Sequence, residues 1–173
     1  MLKVRNYLFL ALLAGAVVLL DQVTKQFVRS LAPGEIWMPF AAIRPYLYIS
    51  HWTNTGAAFS MFQQGGLIFA ILAIVVSIAI VYYYRTTETI SWLVRIALGL
   101  QLGGALGNLL DRLTHRLAVT DFIRFSFFPA VFNLADLAIS SGVVLLILDV
   151  LVEYIQNRKT QPAALVPAPS EKA

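Results

Sequence analysis

The sequence predicts an all-α membrane protein of four transmembrane helices, with a small β-sheet in the first outer loop. Three observations predict it. Of 173 residues, 59% are apolar and 13% charged, and mean hydropathy is +0.75, so the chain cannot furnish the polar shell of a soluble domain. The apolar residues gather in four runs, each close to the roughly 20 residues a helix needs to cross a bilayer core. After the first run, "YLYISHW" (Tyr46–Trp52) is β-branched and aromatic, the composition of a strand.

The first span runs from about Tyr7 to Phe27. Lys3 and Arg5 resemble the basic start of a cleaved leader, but Asp21 and Lys25 extend the helix as an i, i+4 pair and no small-residue cleavage site follows. The span is therefore expected to stay. In the outer loop, Trp37, Phe40 and Trp52 suit the headgroup zone around the strand. The second span covers about Leu67–Tyr84 and the third about Trp92–Leu110. Gly99, Gly103 and Gly107 recur every four residues along the third, a spacing that lets another backbone pack closely. The fourth covers about Val131–Tyr154. Residues 1–159 are expected to form one membrane domain, and 160–173, "TQPAALVPAPSEKA", a disordered tail rich in Pro and Ala.

Basic residues are divided almost evenly between the two sides of this arrangement. Lys3, Arg5, Arg85, Arg95, Arg158, Lys159 and Lys172 fall on one side, and Lys25, Arg29, Arg44, Arg112, Arg116 and Arg124 on the other. The second group has more acids beside it in sequence, so both termini are placed in the cytoplasm and loops 28–66 and 111–130 outside. A net charge of +4, with no basic cluster interleaved with aromatics, does not suggest nucleic-acid binding. The absence of cysteine excludes disulfides, thiolate nucleophiles and Cys-bound metal.

Four alternating helices give each polar residue a depth. Asp21 and Lys25 end the first span, Asn54 lies in the outer loop, and Asn108, Asp111 and Arg112 end the third span. Asp121 lies in the second outer loop, and Asn133 and Asp136 open the fourth span. All fall in the outer leaflet, whereas the inner ends carry ordinary charges such as Glu88. Ionisable residues at membrane depth cost a few kcal/mol each, so such a cluster reads as a working site.

The available chemistry is narrow. His51 and His115 are the only histidines, without an H-E-x-x-H, so zinc hydrolysis is disfavoured and no metal is expected. Lys25 could activate a serine such as Ser60, but no G-x-S-x-G accompanies it. Two carboxylates sharing a proton remain, one acting as base on water while the other polarises a carbonyl. Asp136, held in a span, and Asp121, within the apolar "VTDFIRF", are the best pair. Asp21 beside Lys25, and Asp111 beside Arg112, read as ion pairs or substrate positioners, and Asp149 as a helix-end or inter-helix hydrogen bond.

Five segments occur in the order seen in a known family: "DQVTK" (Asp21–Lys25), "NTGAAFS" (Asn54–Ser60), "GGALGNLLDRL" (Gly103–Leu113), "VTDFIRF" (Val119–Phe125) and "FNLADLAISSG" (Phe132–Gly142). Together they resemble the lipoprotein signal peptidases, or signal peptidase II, over nearly the whole chain except the tail. The resemblance implies a multi-pass protein of the bacterial cytoplasmic (inner) membrane, with cytoplasmic termini and a small periplasmic sheet. Its active site would face the periplasm and outer leaflet. It implies cleavage of prolipoproteins just before a cysteine already carrying a diacylglyceryl group. The matching aspartates, Asp121 and Asp136, would be the catalytic dyad. Asn54, Asn108, Arg112 and Asn133 would orient it and hold the substrate, with Asp21 and Lys25 in support. Phe59, Phe122 and Phe132 would flank the peptide or its acyl chains. Membrane lipid and the lipid-modified prolipoprotein are the expected partners, with no cofactor and a monomeric chain. One departure stands out: "THRLAVT" lacks the glycine that family members commonly carry there, which bears on the path of the chain into Asp121.

Two other classes fit the same acids. A small proton- or ion-coupled transporter subunit would relay ions through them, and an assembly factor would use them only to glue helices. Their confinement to one leaflet disfavours a transport path, which needs polar groups at several depths.

Overall fold

The computed structural model describes residues 2–32, 35–38, 40–43, 45–56, 65–87 and 89–160. Four helices carry most of them: α1 (Leu2–Arg29), α2 (Gly66–Thr86), α3 (Trp92–Thr114) and α4 (Leu134–Thr160). Each holds a segment long and apolar enough to cross a membrane. Their outward faces are apolar: Leu12, Leu19, Ile68, Ile78 and Val150 are 63–68% exposed. Such a surface is stable in hydrocarbon, and the chain is a multi-pass membrane protein.

α3 is the central helix, with 61% of its apolar window buried against 17–22% in the other three. α2 runs antiparallel to it: Ala70 and Ala73 pack on Leu109 and Ala105, while Ile80 and Tyr84 pack near Leu98 and Leu102. α1 runs parallel to α3 along the glycine row. A Cβ on Gly99 would strike Leu13, and one on Gly103 would strike Val17 and the Ala14 carbonyl. Helices in lipid have no hydrophobic drive to associate, so this backbone-close van der Waals packing holds the seam. α4 closes on the other face of α3, with Gly104 against the Ala135 carbonyl and Ile139.

The expected strand forms as β1 (Leu47–Asn54), extended by a bridge between Trp37 and Ile49. Its partners come from the connection between α3 and α4, β2 (Val119–Phe125) and β3 (Val131–Phe132), in the order β1-β2-β3, all antiparallel. "VTDFIRF" is thus a central strand. Its first four residues are all buried, so the polar–apolar alternation that marks a half-exposed strand is lost. Val131 and Phe132, expected within the fourth span, belong to β3, and the helix starts two residues later.

Between α3 and β2 the chain turns through Arg116 (φ 52°) and Leu117 (φ 65°), both in the left-handed region that favours glycine. This is the stretch where a glycine is expected and absent. A Cβ on Gly66 would collide with the Leu117 carbonyl, so the start of α2 packs directly on this turn. The expected tail from residue 161 onward, and Phe59, Ser60 and Glu88, lie outside the described residues.

Candidate active site

The start of α4 shows why an amide and a carboxylate sit where an apolar helix begins. Asn133 precedes the first helical residue, and its Oδ1 accepts the Asp136 backbone N–H at 2.9 Å. The Asp136 Oδ2 accepts the Asn133 backbone N–H at 3.2 Å. This reciprocal arrangement is a capping box, which satisfies two N–H groups that the first turn of a helix would otherwise leave unpaired. It also fixes the Asn133 amide, whose Nδ2 must then point away from the helix.

That Nδ2 donates to Asp121 Oδ1 at 2.7 Å. Asp121 is carried by β2, and the register pairs it with Trp52 on β1. Asn54, two residues beyond Trp52, lies on the same face, and its Nδ2 reaches Asp121 Oδ2 at 2.8 Å. Asn108 on α3 completes the set, donating from Nδ2 to Asp136 Oδ1 at 2.8 Å. Every oxygen of the two carboxylates therefore receives an N–H, and Asn133 joins one acid to the other.

Asp121 and Asp136 line one cavity of about 250 Å³, together with Asn54, Asn108, Arg112 and Phe132. Asp121 is 2% exposed. Burial, and after it the Asp136 carboxylate, push the Asp121 carboxyl up from 3.8 to about 6, against the donors of Asn54 and Asn133. A second cavity, about 200 Å³, continues from Asn54, Asp121 and Val131 to Trp52 and Arg124 on the sheet. A third, about 300 Å³ and mainly apolar, runs from Asn108, Arg112 and Ile139 between α2 and α4 to Val76, Gln101 and Val143, with α3 as its floor.

Behind Asn108 lies a buried set of two cations and two anions. Lys25 Nζ is 2.8 Å from Asp21 Oδ2 and 3.5 Å from Asp111 Oδ2, with all three side chains fully buried. Arg29 Nη2 meets Asp111 Oδ1 at 2.7 Å. Asp21 Oδ1 also accepts the Ala135 N–H at 3.0 Å, and Asp111 Oδ2 that of Thr120 at 2.8 Å, so the set ties α1 and α3 to α4 and β2. Removing one ion from such a set leaves an uncompensated buried charge, at a cost of about 3–5 kcal/mol.

Asn54, Asn108, Arg112, Asp121, Asn133 and Asp136 are thus brought together, while Asp21 and Lys25 stand behind Asn108. One expectation needs correction. Asp111 pairs with Arg29 and Lys25 rather than with Arg112, because consecutive helix residues point in different directions. Arg112 instead lines the cavity 5.5 Å from the Phe69 ring, its buried Nε without a hydrogen-bond partner among the described residues. Phe122 is buried and does not line the cavity, whereas Phe132 does. Asp149 accepts a hydrogen bond from Ser91 across two helices. Arg29 and Thr120 escaped the sequence reading. Arg29 follows Lys25 by four residues, as Lys25 follows Asp21, and that shared face was the available signal.

The chain is similar to known proteins in both sequence and structure. The profile of the family described as "Signal peptidase (SPase) II" matches residues 13–152. The lipoprotein signal peptidase of Anoxybacillus flavithermus is 38% identical over 158 residues, covering 89% of this chain and 92% of its own. That of Geobacillus kaustophilus is 42% identical over 140 residues, covering 78% and 87%. A solved structure described as a bacterial membrane enzyme aligns with a TM-score of 0.77 at 31% identity, covering 88% of this chain and 93% of that one.

Proposed function

The chain belongs to the signal peptidase II family, and on that premise we propose that Asp121 and Asp136 are the catalytic pair with which it cleaves lipid-modified prolipoproteins. The protein is an aspartic-type endopeptidase of the membrane. Its substrate is the prolipoprotein whose cysteine carries a diacylglyceryl group, and the bond broken lies just before that cysteine. The reading rests on one observation: two carboxylates, one from β2 and one from α4, face a single cavity at the sheet end of the bundle, each oxygen already holding an N–H donor.

In the singly protonated pair, the ionised carboxylate takes a proton from water while the protonated one donates a hydrogen bond to the scissile carbonyl. The water oxygen adds to the carbonyl carbon and a tetrahedral intermediate forms. A proton then passes to the leaving nitrogen, the C–N bond breaks, and the pair is left with one proton. Asn54, Asn108 and Asn133 hold the two acids, and Arg112 is placed to receive a backbone carbonyl. The apolar cleft between α2 and α4 accepts an acyl chain. The sheet end faces the periplasm of the bacterial inner membrane, where a lipid-anchored cysteine diffuses to the site within the outer leaflet. A single chain supplies every group required.

The test is Asp121→Asn and Asp136→Asn, each alone, assayed in detergent on a diacylglyceryl-modified precursor with chelator present. Each substitution is expected to abolish cleavage. Full turnover in both variants would remove the pair from the mechanism.

A further inference from the structure

Lys25 does not line the cavity, yet it touches the side chain that does. Its Nζ donates to Asn108 Oδ1 at 2.9 Å. An asparagine amide is nearly symmetric in shape but opposite in function at its two ends, so its orientation follows from its neighbours. Lysine can only donate, so the end facing it must be oxygen. The other end, Nδ2, then points at Asp136 Oδ1. Asn133 Nδ2 also donates to Asn108 Oδ1, at 3.1 Å, but it is neutral and longer than the charged bond from Lys25.

The surroundings make the lysine decisive. Asp21 Oδ2 and Asp111 Oδ2 lie at 2.8 and 3.5 Å from its Nζ. Without the ammonium these acceptors would compete for the Asn108 N–H. The amide would be drawn toward them, and its oxygen turned toward a carboxylate that needs a donor. Asp121 and Asp136 face Asn108 and Asn133 from β2 and α4, and Arg29 completes the charge balance on α1.

We propose that Lys25 is a positioning residue for the cleavage reaction, fixing through Asn108 which hydrogen bond Asp136 receives. This inference rests on the assignment of Asp121 and Asp136 as the catalytic pair. It differs from a purely structural role for Lys25, which would lower folded protein without changing turnover per folded molecule.

The experiment uses the full chain in detergent micelles with a diacylglyceryl-modified prolipoprotein as the probe. Lys25→Met alone strands buried anions and endangers folding, so Asp21→Asn/Lys25→Met is made as well. It removes one cation with one anion and leaves the Arg29–Asp111 pair intact. Thermal unfolding first establishes the folded fraction. In folded protein kcat is expected to fall about tenfold to a hundredfold with KM little changed. In an Asn108→Ala background, the same pair of substitutions is expected to lower kcat no further. Unchanged kcat in the Asp21→Asn/Lys25→Met protein overturns the proposal. So does an equal loss of kcat whether or not Asn108 is present, because Lys25 would then not act through it. Failure of the unsubstituted protein to cleave the probe would instead overturn the functional reading on which this one stands.

Discussion

Asn133 and Asp136 cap one another, each accepting the other's backbone N–H at 2.9 and 3.2 Å. The same two residues thus start a membrane helix and furnish the proposed site, and the two roles separate by substitution. Asn133→Ala loses the cap, worth about 1 kcal/mol, and lowers Tm by about 2–4 °C. It also strips Asp121 of a donor, and kcat falls. Asn133→Ser keeps a capping oxygen but no amide, so Tm recovers while kcat stays low. Recovery of both in the serine protein would show that the amide does not matter.

Asp121 sets the expected pH dependence. Its carboxyl is pushed up to about 6, chiefly by burial and then by Asp136. Above that pH Asp121 has given up the proton that would polarise the carbonyl, so kcat/KM is expected to decline as pH rises through about 6. At sufficiently low pH both are protonated and the base is lost, giving an acid limb that belongs to the pair. Stability follows the same proton. The folded-state value lies above the unfolded one, so this contribution is complete below 3.8 and disappears as pH rises through about 6. Thermal unfolding across this range, compared with Asp121→Asn, measures it.

Gly107 is required by Asp21 rather than by the helix. A Cβ there would lie 2.7 Å from Asp21 Oδ2, and Asp21 cannot retreat from Lys25 and the Ala135 N–H. Gly107→Ala is expected to cost about 1–3 kcal/mol, seen as a lowered Tm. Gly15 has nothing within 4 Å of its would-be Cβ. Gly15→Ala is therefore expected to stabilise, by about 0.5–1 kcal/mol at most.

The left-handed turn before β2 invites the opposite change. Arg116 is exposed at φ 52°. Arg116→Gly removes a steric cost of about 1–2 kcal/mol, partly offset by the greater freedom of glycine in the unfolded chain. A small rise in Tm with unaltered kcat is the expected result, and a fall in Tm would show that the Arg116 side chain makes contacts that outweigh the strain.

The proposed pair activates water directly, so a chelator is expected to leave kcat unchanged. Loss of turnover on chelation, restored by a divalent cation, would require a different mechanism.

Much of this was legible because lipid imposes simple rules. Span length and apolar content located four helices to within a few residues, and depth alone gathered the polar groups at one end. The sheet was harder to read. β2 is covered on both faces, so its residues carry no alternation, and its pairing with a strand more than 60 residues away leaves no local mark. The partner of Asp111 was hidden for a similar reason. Adjacency in sequence suggested Arg112, whereas the partner, Arg29, stands on another helix. The mutual capping of Asn133 and Asp136 was visible only as a spacing of three, which a shared helix face explains equally well.

The apolar cleft between α2 and α4 has a thermodynamic consequence. Under the proposed function, an acyl chain sliding into it would exchange one oily medium for another, so no water would be shed and burial would yield almost no affinity. Selectivity must then come from whatever is polar at the mouth of the cleft, and from fit. Under the proposed function, the same cancellation would keep the cleaved, still-lipidated product from sticking, and would let it leave sideways as easily as it came.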